Sequence, residues 1–222
     1  MNEVYWIITL IIAYVGVLVF YKCFGKTGLF VWITLATIIA NIQAVKIVNL
    51  IGFETALGTI SYATTFLAMD ILTEKYGKEV SRKAITLGLT VMIAVAIIMS
   101  IAILYTPSLN DFGAESISTI FTLNIRITIA SMIAFVISQY NDTWLYSKLK
   151  EKSKPLWVRN NVSTIISQLI DTLIFVSITY IGILPFKTVL SIGITMYVLK
   201  FITALFDTPF MYIANKMKIN EI

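Results

Sequence analysis

The run NNVSTIISQLIDTLIFVSITY, residues 160–180, carries one formal charge, Asp171, set about halfway along it. About 20 predominantly apolar residues, rising ~1.5 Å each as a helix, are enough to cross the hydrocarbon of a bilayer. A carboxylate at the centre of such a segment costs roughly 2.5–3.5 kcal/mol on insertion scales, so the helix must turn it toward protein or water. With about 3.6 residues per turn, Asn161, Thr164, Gln168, Asp171 and Phe175 fall within about one third of the helix circumference. A polar stripe of that kind lines a cavity or meets partners on neighbouring helices. Gln168 suits interhelical glue and ligand contact equally. Asp171, deep and without a local cation, favours the functional role.

The whole chain agrees with that reading. It has 222 residues, 58% of them hydrophobic and only 13% charged, with a mean hydropathy of +0.87. A soluble domain carries about 25% charged residues. The expected class is an all-α integral membrane protein forming a single transmembrane domain over residues 1–222. Glu3 stands where a signal peptide has a basic region, so the first apolar run reads as a retained span. One cysteine, Cys23, and no histidine exclude a disulfide framework, zinc proteases, serine–histidine proteases and histidine-ligated haem or copper. No metal and no cofactor are expected. The net charge of +5 is topogenic in a membrane protein, so no nucleic acid partner is expected. No Walker A run is present, so the chain hydrolyses no ATP itself.

Seven segments qualify as spans: 4–21, 28–50, 55–73, 84–106, 119–146, 160–184 and 186–213. Their connections alternate in charge. YKCFGKTG, EKYGKEVSRK, SKLKEKSKPLWVR and the tail NKMKINEI are basic, while IGFET, TPSLNDFGAES and ILPFKT are not. Basic loops stay cytoplasmic, which places the N-terminus outside and the C-terminus in the cytoplasm. Residues 1–27 then form an extra N-terminal helix and loop, and residues 28–214 a six-helix core. Its two three-helix halves start on opposite sides, the arithmetic of a 3+3 inverted repeat with a site between the halves. The alternative is a plain six-helix bundle.

Other spans carry polar residues too. Lys200, Thr203 and Asp207 share a face of the last span; Lys200 is deep and should seek Asp171, whereas Asp207 and Pro209 sit near the inner end. Thr34, Thr37 and Asn41 share one face of the second span, with Gln43 and Lys46 opposite; Lys46 suits snorkelling and Asn41 ligand contact. Asn124 and Arg126 lie near the outer end of the fifth span, where Arg126 could meet an acid or a headgroup. Gln139 and Asp142 approach its inner end and fit the interface. In FLAMDILTEKYG, Asp70 and Glu74 are spaced i, i+4 and face the same way with like charge, so one of them holds a proton unless cations such as Arg82 or Lys83 approach.

AMDILTEKYG, with ANI one helix earlier, RITIASMIAFVISQYND, STIISQLIDTLIF and YVLKFITALFDTP together resemble the YhhQ-type queuosine-precursor transporters, of the vitamin uptake transporter group. The resemblance runs from about residue 35 to 212. It implies a bacterial plasma-membrane, multi-pass importer of 7-deazaguanines (preQ0, preQ1 or queuine), working in the lipid bilayer by alternating access, with room for a homodimer. By matching position it places Asn41, Arg126, Gln168, Asp171 and Lys200 at the substrate, and Asp70, Glu74 and Gln139 at a gate or coupling site. The chemistry is compatible. One carboxylate can accept the N1–H and exocyclic amine of a guanine-like edge, and an amide can complement its O6. Phe175, Tyr62, Phe66 or Tyr197 could stack on the ring. Three alternatives stand beside this reading. One is a binding subunit that lends its substrate to a separate ATPase, as in energy-coupling-factor importers. A second is a purely structural or assembly role, since intramembrane polar residues can serve packing alone. The third, a membrane enzyme, would require a nucleophile–base pair or a metal site. Without histidine only an aspartyl dyad of Asp70 and Asp171 remains, which lacks the usual aspartyl-protease surroundings.

Overall fold

A computed structural model describes residues 1–50, 52–121 and 125–219 of the chain. In order, the elements are α1 (Asn2–Gln43), β1 (Ile47–Leu50), β2 (Phe53–Ala56), α2 (Thr59–Tyr76), α3 (Lys78–Ile103), α4 (Ala114–Phe121), α5 (Ile125–Glu151), α6 (Leu156–Tyr180) and α7 (Phe186–Lys216). Asn124 lies outside the described residues.

The first two expected spans are continuous in α1, but the helix breaks at Gly25, where φ is 56° and ψ −138°. In a straight helix residues 16 and 32 would stand roughly 24 Å apart. Here a Cβ at Gly16 would strike the ring of Trp32, and one at Gly28 the carbonyl of Phe20, while the Phe20 and Trp32 rings stack edge-on at 5.3 Å. The two arms therefore fold back on each other. Only glycine adopts Gly25's backbone without strain, and only glycine allows the arms to touch at position 28.

Two boundaries depart from expectation. The second span ends at Gln43, not residue 50, and β1 and β2 form an antiparallel hairpin paired from Ile47↔Ala56 to Leu50↔Phe53. The chain is thus helical apart from one hairpin. Ile47, Val48 and Thr55 are β-branched and suit strands, and the Asn49 side chain accepts the Gly52 N–H at 3.1 Å to close the turn. Lys46 therefore lies in the connection rather than on a helix. The expected fifth span is divided: α4 and α5 are inclined by 52°.

Helices α1, α3, α6 and α7 are long and apolar enough to cross a membrane, and α4 with α5 make a bent fifth candidate. Helix α2 falls short on composition, yet it is the most enclosed. Residues 63–73 are buried without interruption. The protein is arranged inside out relative to a soluble one. Ile12, Ile98, Leu173 and Ile194 face outward, while Thr64, Thr65, Ser138, Gln139, Asn160 and Gln168 are enclosed. Solvation by lipid accounts for that distribution.

Hydrogen bonds fix the helix directions. Tyr62–Asp171, Asp70–Thr164 and Glu74–Arg159 pair along the full length of α2 and α6, which makes those helices antiparallel. Ser138–Asp171 with Asn141–Ser167, and Lys200–Asp171 with Asp207–Asn160, set α5 and α7 antiparallel to α6 as well. Helices α2, α5 and α7 therefore run opposite to α6, and α2, packed against α1, α3, α5 and α7, is the central helix. At one end of the bundle lie the Gly25 turn, beside Tyr76 and Ile219, and the Glu74 ion pairs. Of the 17 lysines and arginines, only Lys46, Arg126, Lys187 and Lys200 lie away from that end.

Candidate functional site

Asp171 projects from the middle of α6 and is 4% exposed. Lys200 of α7, 3% exposed, forms an ion pair with its Oδ2. These two were expected to meet because their helices place them at matching depth, and they do. Tyr62 of α2 donates its hydroxyl to Asp171 Oδ1 at 2.6 Å, and Ser138 of α5 donates to the same oxygen at 3.2 Å. The Lys200 ammonium also stands 5.4 Å from the centroid of the Tyr62 ring. Four helices thus converge on one carboxylate. Its charge is balanced, and the cation is held by both an anion and a ring face.

This cluster borders a cavity. A small chamber of about 100 Å³ is lined by Asp171, Lys200, Tyr62, Thr37, Asn41 and Phe175, among others. A larger cleft of about 900 Å³, between α3, α4 and α5, shares Asn41, Ala44, Met92, Ser131 and Phe175 with it. The shared residues make the two spaces neighbours. Among the described residues, Asp171 and Lys200 are the only formally charged ones on the walls of the two spaces, and most of the rest is apolar. The volume is that of a site for a small organic molecule. Among the described residues, no group of three or more His, Cys, Asp or Glu could hold a metal ion.

The remaining expected site residues fall into several places. Asn41 and Phe175 line both spaces, and the Phe175 ring meets Tyr180 edge-on at 6.4 Å. Gln168 is fully buried, and neither its amide oxygen nor its nitrogen has a partner. Gln139 donates to Thr65 Oγ1 at 3.0 Å and leaves its oxygen unpaired. Arg126 lies away from the cavity walls. Its guanidinium donates to the carbonyls of Ile178 and Ile181, tying α5 to the last turn of α6, where helix carbonyls lack internal partners. Of the aromatic residues, Phe66 is sealed in the core, and the Tyr197 hydroxyl reaches the Ile165 carbonyl at 3.5 Å.

Glu74 and Asp70 part company. Glu74 accepts Arg159 Nη2 at 2.6 Å and the Tyr146 hydroxyl at 3.0 Å, with Lys150 Nζ 3.6 Å away. Its cations come from α5 and α6. Arg82, expected nearby, pairs with Glu79 instead. Asp70 is fully buried, not shallower than Asp171 as its position near the helix end suggests, and accepts Thr164 Oγ1 at 3.3 Å beside the Asp142 carboxyl. Asp142 and Asp207, expected at the interface, are also enclosed and stand beside Asp70. Sequence reasoning missed that grouping, and it missed Ser138 and the hydroxyl role of Tyr62. The one available signal was spacing: Ser138 and Asp142 sit one turn apart, as do Gln139 and Asp142.

Comparison with known proteins adds the family. The profile of a family described as "Putative vitamin uptake transporter" matches residues 56–214. A "Probable queuosine precursor transporter" of Bacillus subtilis (strain 168) is 41% identical over 223 residues, covering 99% of this chain and 97% of that protein. The "Queuosine precursor transporter" of Escherichia coli (strain K12) is 28% identical over 133 residues, 60% of this chain and 58% of its own. A "Probable queuosine precursor transporter" of Haemophilus influenzae (strain ATCC 51907 / DSM 11121 / KW20 / Rd) is 29% identical over 140 residues, 63% and 58%. No solved structure matches. These relatives are named as transporters, not enzymes. With most of its length matched by the profile and a relative aligned almost end to end, this multi-pass membrane chain belongs to the vitamin uptake transporter family.

Proposed function

We propose that the chain imports queuosine precursors, the 7-deazaguanine bases preQ0, preQ1 or queuine, across the bacterial plasma membrane. The observation that carries the reading is the convergence of Asp171, Lys200 and Tyr62 beside Asn41 and Phe175 on one cavity. It occurs in a chain that aligns over 99% of its length with a relative named for such transport. A carboxylate offers about four lone-pair sites, and Tyr62, Ser138 and Lys200 occupy three of those on Asp171. A base that donates its N1–H and exocyclic amine therefore takes the free one and displaces one hydroxyl while Lys200 stays in place. Asn41 supplies an amide for the remaining edge, and Phe175 a ring to stack on.

In this reading seven spans cross the membrane, with Gly25 turning the first into the second and α4 and α5 sharing one. The basic end, including the C-terminus, faces the cytoplasm. The antiparallel pairing of α2 with α6, each lending a hydroxyl to the other's acid, supports two inverted halves that rock about the bound base. Glu74, held by Arg159 and Lys150, closes the inner side.

The test is complementation. A strain unable to make preQ0 and lacking its own importer receives this gene and each base, and queuosine in tRNA is measured. A gain with at least one base is expected; none with any of the three refutes the reading. Asp171→Ala should abolish uptake at normal membrane levels. A cysteine placed at Asn110 should label from outside intact cells, and protection there would reverse the topology.

A further inference from the structure

About two helical turns from Asp171 toward the basic end, α6 presents Asn160, Ser163, Thr164 and Ser167 to a second polar layer. Three carboxyls face it: Asp70 from α2, Asp142 from α5 and Asp207 from α7. None is more than 1% exposed. Thr164 serves Asp70 Oδ2, and the Asn160 amide serves Asp207 Oδ1 at 2.7 Å. Asp142 lies against the Asp70 carboxyl and the Ser163 and Ser167 hydroxyls, while Asp70 Oδ1, Asp207 Oδ2 and Asn160 Oδ1 are left without donors.

Each cation within reach is committed elsewhere. Arg159 and Lys150 hold Glu74, one turn below Asp70, and Lys200 holds Asp171. Two tyrosine hydroxyls near the layer are also engaged: Tyr146 donates to Glu74, and Tyr14 to the Thr203 carbonyl at 2.9 Å. Among the described residues no ammonium or guanidinium pairs with any of the three acids. Enclosed oxygens in this number, with no positive charge, are a site short of a cation. The three carboxyls do not converge closely enough to hold a metal ion among themselves. A polyvalent ion is therefore a poor fit. A monovalent one needs only a carboxylate plus neutral oxygens such as Asn160 and the serine and threonine hydroxyls, or, for a proton, one carboxylate oxygen.

A second, independent observation extends the layer upward. Gln168 shares a face of α6 with Thr164 below and Asp171 above, is fully buried, and has no partner for either amide atom. Its unfilled donor and acceptor leave a polar gap between the two layers. We propose that the inner layer of Asp70, Asp142 and Asp207 binds the monovalent cation, proton or sodium ion, whose inward gradient drives uptake through the site above it. This rests on the importer reading and assigns its energy source.

The test uses the purified full-length protein in two ways. Without substrate, the melting midpoint is measured in NaCl against choline chloride at fixed pH, and across pH 5–8 without sodium. A response to sodium or to protons that is lost in Asp142→Asn and restored in Asp142→Glu supports the site and names the ion. The same response in Asp142→Asn overturns it, as does no response in the unaltered protein. In proteoliposomes, counterflow of labelled preQ0, preQ1 or queuine at equal ion concentrations tests the importer reading alone. Where counterflow is present, a membrane potential of 100 mV, inside negative, should drive a neutral base to an accumulation of up to about 50-fold through one co-transported charge. Accumulation that needs sodium at constant pH identifies sodium, and accumulation that persists in choline identifies the proton. Counterflow without any gradient-driven accumulation overturns the coupling role.

Discussion

Asp171 and Asp70 lie on neighbouring antiparallel helices, α6 and α2, and each accepts a hydroxyl from the other's helix: Tyr62 for Asp171, Thr164 for Asp70. Beyond that reciprocity the two environments diverge. Asp171 is matched by Lys200, served twice on Oδ1, and open on one side to the cavity. Asp70 sits among two further carboxyls and no cation, sealed from solvent. A low-dielectric interior makes any unbalanced charge expensive. The upper layer is therefore complete as it stands and can recognise a molecule, whereas the lower layer is complete only when something positive enters.

The comparison is broken most directly by removing the balancing charge above. Lys200→Met leaves Asp171 enclosed without its cation, and loss of one partner of a buried pair costs about 3–5 kcal/mol. Thermal unfolding in detergent should show the loss. Lys200→Met with Asp171→Asn should recover most of it, since the stranded charge is then gone, while uptake stays abolished. A single Lys200→Met variant as stable as the parent would mean that the upper layer is not held by charge balance.

Next in size is Tyr62→Phe, which keeps the ring under Lys200 and removes only the hydroxyl. A hydrogen bond to a charged group is worth about 1.5–3 kcal/mol, and stability should fall within that range. The corresponding change below, Thr164→Val, should cost less, because its bond to Asp70 is longer, at 3.3 Å against 2.6 Å. If Thr164→Val proves the more damaging, the lower layer is already an ionised, donor-dependent site. Glu74→Gln should fall between the two, at about 1–3 kcal/mol, because Lys150 is partly solvated and Arg159 is mostly buried. Unfolding curves for the three variants in one detergent would settle the order.

What could be read in advance follows a physical division. Hydropathy reports depth along the membrane normal, so the long apolar helices and the match between Asp171 and Lys200 were legible. It carries nothing about lateral position. Asp142 and Asp207 sit near the ends of apolar runs and so read as interfacial, yet they turn inward against α6. Glu74 has Arg82 and Lys83 as sequence neighbours, but the fold brings Arg159 and Lys150 to it from helices roughly 75–85 residues away. The resemblance put Arg126 at the substrate, and nothing local revealed the open carbonyls of α6 that its guanidinium reaches. Helix α2 is the strongest case. Its polar content places it below the threshold for an apolar span, and that same content is why it is central, since only a helix enclosed by protein can carry it.

The smallest effect sharpens the same contrast. Ser138 Oγ lies 3.2 Å from Asp171 Oδ1 and 3.3 Å from the Phe135 carbonyl of its own helix, so its hydroxyl is shared between two acceptors. Removing it with Ser138→Ala deletes the weaker of the two donors on that oxygen and leaves Tyr62 and Lys200 intact. Side-chain hydrogen bonds between membrane helices average about 0.6 kcal/mol, and the stability change should be of that order. Uptake should respond differently. A base that donates to Asp171 competes with both hydroxyls for its lone pairs, and the loss of one competitor frees an acceptor site at the cavity wall. Ser138→Ala should therefore bind its substrate at least as tightly as the parent, measured as the half-saturating concentration for uptake, despite its slightly lower stability. A weaker apparent affinity would mean that Ser138 itself touches the substrate, placing α5 among the recognition helices rather than behind them.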